Sequence, residues 1–125
     1  MTVKDTLTMR YFPVVTKTNC PTINRIHPLK QNVVSQLYLL GSRYKELKRI
    51  CIFGSSTTGL CHVDSDIDIC LILSENDDFD FYELTKEIGE VCDWNCDILN
   101  YSNLGQRLRT IIEREGVIIY EQITS

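Results

Sequence analysis

Apolar positions along the chain fall into short runs whose spacing changes several times. From Pro28 the spacing is helical: Leu29, Val33, Leu37 and Leu40 follow an i, i+4, i+8, i+11 stripe, and Gly41 is a natural stop. Arg49 to Phe53 is continuous enough to be a short buried strand, and it ends abruptly at Gly54-Ser55. A Ser/Thr/Gly-rich connector reaches Ser65, and Asp66 to Leu73 reads as a second strand. Residues 74–80 form an acidic loop. Phe81, Leu84 and Ile88 mark one face of a helix over Phe81 to Val91, and Trp94 to Tyr101 reads as a third strand. Ser102 or Asn103 can cap a helix running to about Glu115, with Leu104, Leu108, Ile111 and Ile112 inward. Gly116 ends it, and Val117 to Tyr120 is a last short strand. The pattern predicts an α/β (α+β) domain with a mixed β-sheet flanked by helices.

Residues 1–25 do not share this regularity. Val3 to Val15 is rich in Thr, Tyr, Phe and Val, but Pro13 and Pro21 interrupt it. An edge hairpin or a loosely docked arm is expected there. The division expected is an N-terminal arm over 1–25 and one folded domain over 26–125.

Length and composition agree. At 125 residues one domain is expected, and 43% hydrophobic with 24% charged residues is an ordinary globular balance. No apolar run approaches the ~20 residues needed to span a bilayer, and no signal-peptide core opens the chain, so a cytoplasmic location without membrane contact is expected. Thirteen basic residues against seventeen acidic ones give −4, which does not favour a nucleic-acid acceptor held along its backbone. Of the six cysteines, Cys51, Cys70 and Cys96 lie inside strand-like runs, and no C-x-x-C pair occurs. Reduced, buried thiols fit better than zinc ligands or a disulfide framework.

Chemistry concentrates between Gly54 and Asp68. On a strand, Asp66 and Asp68 share a face while Ile67 and Ile69 point the other way. Two adjacent carboxylates repel unless something positive lies between them, and Mg²⁺ is commonly held by one or two carboxylates plus substrate phosphates. Gly54, Ser55 and Ser56 supply the phosphate side. Glycine lets a backbone approach closely, and successive N–H groups and hydroxyls form an anion cradle. If the connector returns the chain directly, the two strands run antiparallel and both features meet on one rim. Asp97 alternates with Cys96 and Ile98 on the third strand. It would supply a third carboxylate, enough for two metals about 3.5–4 Å apart.

Phe53-Gly54-Ser55, Gly59 and Ser65-Asp66-Ile67-Asp68-Ile69 resemble the signature of the DNA polymerase β-like nucleotidyltransferase superfamily. The short length resembles its minimal MNT-type members, including the antitoxin halves of HEPN/MNT toxin–antitoxin pairs. The resemblance runs from about Pro28 to Tyr120 and includes the closing Glu115 to Glu121 segment. It implies the polymerase β-like nucleotidyltransferase fold and Mg²⁺-dependent transfer of a nucleoside monophosphate from an NTP, ATP foremost, to an acceptor hydroxyl. Asp66, Asp68 and Asp97 would be catalytic and metal-binding; Gly54, Ser55 and Ser56 would bind nucleotide. The alternative it implies is a non-catalytic, antitoxin-like nucleotide-binding partner. A homodimer or a helical partner protein is expected to close the cleft. Many MNT antitoxins carry Arg directly before the glycine that falls at Gly59, and here that residue is Thr58. Gly59-Leu60 with Ser65-Asp66 resembles instead the terminal RNA nucleotidyltransferases, which carry a further helical domain for the acceptor.

Other polar residues have plainer readings. Asp64, His62 and the Asp77, Asp78, Asp80 loop read as solvated surface, and His27 as a helix-start residue. Trp94 and Tyr101 read as sheet packing, and Arg107, Arg109 and Arg114 as an exposed helix face.

Overall fold

The structure, a computed structural model, describes residues 10–75 and 79–123. Asp77 and Asp78 of the acidic loop, and the first nine residues of the arm, lie outside them. Four strands form one sheet in the order β3-β2-β1-β4: β1 Leu47–Phe53, β2 Ile67–Leu73, β3 Cys96–Asn100 and β4 Val117–Glu121. β1 is antiparallel to both β2 and β4, whereas β2 and β3 are parallel, so the sheet is mixed. The helices are α1 Pro28–Gly41, α2 Phe81–Val91 and α3 Gln106–Glu115. None is long and apolar enough to cross a membrane.

Local chemistry sets the helix ends. His27 caps α1, its Nδ1 accepting from the Leu29 N–H (3.1 Å), and Pro28 occupies the first turn, where its missing N–H costs nothing. Asp80 caps α2, accepting from the Glu83 N–H. The third helix starts later than its sequence predicts. Asn100 Oδ1 accepts from the Ser102 N–H and closes a 3₁₀ turn over Tyr101–Asn103, so α3 begins at Gln106 with no side-chain cap.

The stripe expected on α1 is rotated. Leu29 is 51% exposed, and the buried side is Gln31, Val34, Leu37 and Leu40, with Lys30 and Ser35 alongside. Gln31 is fully buried because it does backbone work. Its Nε2 donates to the carbonyls of Pro13 (2.8 Å) and Ile26 (3.0 Å), and its Oε1 accepts from the Val15 N–H (2.8 Å). On α3, Ile112 is buried but Ile111 is exposed, since a ten-residue helix offers one narrow face.

The two faces of the sheet are covered unequally. Ile50 and Ile52 of β1, Ile69 and Leu71 of β2, and Val117 and Ile119 of β4 pack with α1 and α2 in the main core. The alternate positions Cys51 and Cys70 form a smaller buried cluster with Ile112, with Phe53, Tyr101, Leu104 and Leu108 packed around it. The strand period of two places Asp68 on this second, thinly covered side. All six cysteines are free. Burial pushes the Cys51 and Cys92 thiols up to about 12 and Cys70 to about 11, so these behave as small apolar groups.

Residues 10–26 form neither a hairpin nor a loose tail. Phe12 N–H donates to Asn24 O (2.7 Å), Thr22 Oγ1 donates to Ile118 O (2.8 Å), and Cys20, Ile23 and Ile26 are part of the main core.

Candidate functional site

β1 delivers its chain to the site at Phe53, which pairs with Asp68 of β2. The next residue, Gly54, has φ +73°, and the chain turns into a 3₁₀ turn over Gly54–Thr57. A Cβ at Gly54 would lie within 3.0 Å of Asp68 Oδ2, closer than real Cβ atoms come. Gly54 is therefore required twice, by its left-handed backbone and by the carboxylate against its Cα. Thr57 Oγ1 donates to Gly54 O (2.9 Å) and Thr58 Oγ1 to Ser55 O (3.2 Å), tying the connector to itself. Ser56 is wholly buried, and its carbonyl accepts from the His27 N–H (2.8 Å), which ties the connector to the start of α1.

The parallel register of β2 and β3 sets Asp68 directly beside Asp97. Asp68 is half-buried, and its carboxyl is raised above its ordinary value. Desolvation is the main cause, followed by the charges of Asp97 and Asp66 and a hydrogen bond with Asp97. The charges of Asp97 and Asp66 also raise Cys96, after its burial, so all three acids act on one neighbourhood. Their placements differ from the expectation in two ways. Asp66 stands one residue ahead of β2 and is exposed, outside the strand pairing that orders Asp68. Asp97 is also exposed, because β3 is an edge strand rather than a buried one. Among the described residues, no three His, Cys, Asp or Glu side chains form a ready-made metal cage. The donors that do gather are carboxylate oxygens, the type suited to a hard divalent cation.

Two hollows flank this centre. One, of about 730 Å³, is lined by Gly54, Ser55, Thr58 and Gly59, together with Arg10 and Arg25. The other, of about 300 Å³, lies along β3 and is lined by Asp97, Ile98, Tyr82 and Trp94. The sequence pattern missed both arginines, since they stand in the segment with no periodicity. Trp94 is 64% exposed with φ +63°, and its ring lies against Gly89, where both line the second hollow. His62 and Asp64 are exposed. Tyr101 donates to Glu113, and Arg109 lies over the Tyr101 ring (4.7 Å) while its Nε donates to Tyr101 O (3.1 Å). Arg109 is thus a strut for the turn before α3 rather than a solvated face.

Comparison with known proteins adds the lineage. The family model described as polymerase beta, nucleotidyltransferase matches residues 35–124. The structure is similar to a toxin–antitoxin crystal structure with AMP-PNP, with 23% identity, 73% of each chain covered and a TM-score of 0.56. It is similar to a Shewanella oneidensis tri-AMPylated HEPN toxin in complex with MNT antitoxin, at 21% identity, 75% and 73% coverage and a TM-score of 0.53. The MntA–HepT toxin–antitoxin structure matches at 20% identity, 74% and 73% coverage and a TM-score of 0.52. At these identities the likeness establishes the fold. No curated protein matches the chain.

Proposed function

The chain belongs to the polymerase beta nucleotidyltransferase family, and on that premise we propose that it moves a nucleoside monophosphate from a Mg²⁺-bound NTP, ATP foremost, to an acceptor hydroxyl on a partner protein. The observation that carries this reading is the register: Asp68 stands beside Asp97, with Gly54 pressed against the Asp68 carboxylate. Burial of Asp68, with the charges of Asp97 and Asp66 beside it, disfavours its ionised form in the isolated protein, and a bound cation would offset that cost.

Asp68, Asp97 and the nearby Asp66 would hold the metal. When bound, Mg²⁺ supplies charge neutralisation at the phosphates and acidifies a hydroxyl near them. Gly54 keeps the backbone low enough for a phosphate to reach the Asp68 side, and Ser55 borders the 730 Å³ hollow on that rim. Asp97 also lines the 300 Å³ hollow along β3, which supports a role for it toward an incoming acceptor. Its role there is to accept and orient the hydroxyl proton. The protein contributes position and fixed charge, and no His or Cys nucleophile is needed.

A protein acceptor is favoured by the surface around the connector. Leu60 is 77% and Val63 74% exposed, and Leu29, 51% exposed, lines the same groove as Val63. The similar structures are complexes of two proteins, one with its toxin AMPylated. The same surface favours the second reading, a partner module that acts by complex formation alone. The experiment that separates them uses labelled ATP with Mg²⁺ and the candidate partner, wild type against Asp68→Asn. Label on the partner only with wild type supports transfer. A complex that forms and neutralises the partner equally with both proteins, without label, supports the binding module.

A further inference from the structure

The connector between β1 and β2 carries the family's phosphate rim but no lysine or arginine from Gly54 to Ser65. Its hydroxyls at Thr57 and Thr58 are engaged within the loop. Lys30, the nearest buried cation of α1, donates to Val63 O (3.3 Å) and so holds the connector from behind. The charge facing the hollow comes from elsewhere. Arg10 and Arg25 line it together with Ser55, and the acid in the lining is Glu115 at the end of α3. The Arg10 guanidinium lies so close over Gly59 that a Cβ there would sit 2.7 Å from its Nη1.

This placement is built. Two residues after Arg10, Phe12 donates its N–H to Asn24 O, and its ring packs on His27 with 5.3 Å between centroids. Gln31 then fixes Pro13 and Val15 from inside the core. Arg25 ends the 3₁₀ turn over Ile23–Arg25, whose Ile23 is part of the main core. Both arginines are thus delivered to the rim by a segment anchored at several points. A hollow of about 730 Å³ is the size of a nucleotide-scale ligand site, and two guanidiniums against one carboxylate give it a positive bias on a chain of net charge −4.

We propose that Arg10 and Arg25 are phosphate-binding residues: the N-terminal segment supplies, across the cavity, the cations that grip the polyphosphate tail of the nucleotide on the Gly54-Ser55 rim. This rests on the nucleotide reading above. Arginine suits the task because its planar fork can donate two hydrogen bonds to phosphate oxygens at once. The arm is therefore part of the ligand site.

The test is calorimetry on the full chain with Mg·ATP and with AMP, comparing wild type, Arg10→Gln, Arg10→Lys and Arg25→Gln. Arg10 is exposed, so Arg10→Gln is expected to keep the wild-type melting temperature and remains informative if Arg25→Gln does not fold. Losing one charge-assisted phosphate contact should weaken Mg·ATP on the order of tenfold or more. AMP should change by less than about twofold, and Arg10→Lys should recover part of the loss. Equal Mg·ATP affinity in wild type and Arg10→Gln overturns the clamp and leaves the nucleotide reading standing. Equal weakening of Mg·ATP and AMP also overturns it, since a phosphate-tail contact must discriminate them. Failure of wild type to bind Mg·ATP at all overturns both.

Discussion

Gly54→Ala tests the geometry of the site directly, and its cost can be divided into parts. The backbone at Gly54 has φ +73°, and an L-residue held there costs about 1–2 kcal/mol. The added methyl also falls within 3.0 Å of Asp68 Oδ2 and 3.1 Å from its Cγ. The carboxylate must swing away from a packed position, which costs about 1–2 kcal/mol more. The sum is roughly 2–4 kcal/mol, a drop in melting temperature of about 6–20 °C for a domain of this size. In an Asp68→Ala background the nearest remaining Asp68 atom is the Cβ, at 3.5 Å, an ordinary contact. There the same Gly54→Ala change should cost only the backbone part.

A double-mutant cycle measured by urea unfolding in EDTA should therefore show a coupling of about 1–2 kcal/mol. Gly54→Ala alone should also abolish Mg·ATP binding, because the displaced carboxylate no longer faces the rim. Additivity within about 0.3 kcal/mol would refute the reasoning, since it would mean that Gly54 and Asp68 do not touch.

Three further outcomes follow from the same contacts. In EDTA at pH 7, Asp68→Asn should be more stable than wild type, because burial and the neighbouring acids raise the folded Asp68 carboxyl; its protonation contributes stability in acid that is lost as pH rises through the raised folded value, so melts of the two proteins should converge in acid. Asp97→Ala should leave Mg·ATP binding within a few fold while label transfer to a confirmed acceptor falls roughly 10²-fold or more, and transfer at the wild-type rate would make Asp97 a simple strand acid. Gln31→Leu strands the polar groups of Pro13, Val15 and Ile26 and should cost about 2–4 kcal/mol in urea unfolding, with Mg·ATP affinity falling as the arm loosens and amide exchange at Val15 accelerating.

The elements most legible in the sequence are those whose stability is local or strongly periodic. α1 and α2 occupy the predicted spans because Pro28, Asp80 and the apolar spacing act within a few residues of one another. β1 and β2 were readable as apolar runs, and their antiparallel pairing follows from a connector that returns directly. The rest depends on contacts distant in sequence. Leu29 reads as core until Gln31 takes the inward side to hold Pro13 and Val15, which no periodicity can announce. The arm's order rests on bonds such as Thr22 to Ile118, 96 residues apart. Asp97 was legible as an acid alternating with apolar residues, but its exposure depends on β3 being the sheet edge. Asp66 and Asp68 looked equivalent by spacing, yet only Asp68 is inside the strand register.

The unequal cover of the sheet explains why the chemistry sits where it does. A carboxylate pair beneath α1 and α2 would be sealed in the main core, where an uncompensated charge is prohibitive. Among the described residues the opposite face is covered by α3, whose Ile112 is buried against Cys51 and Cys70, and by Phe53, Tyr101, Leu104 and Leu108 packed around that contact. Beyond that contact β2 and β3 still supply register, so Asp68 and Asp97 are ordered by backbone pairing while solvent and ligands can reach them. Gly54 is the point where this acidic side meets the hollow lined by Arg10 and Arg25, since it touches Asp68 and also lines that hollow. Acidic groups against Gly54 and basic groups lining the hollow it borders suit a ligand that brings both signs at once, a polyphosphate with its cation. On this argument Gly54→Ala should impair Mg·ATP more severely than either Arg10→Gln or Asp97→Ala, because it alone disturbs the junction of the two charge fields.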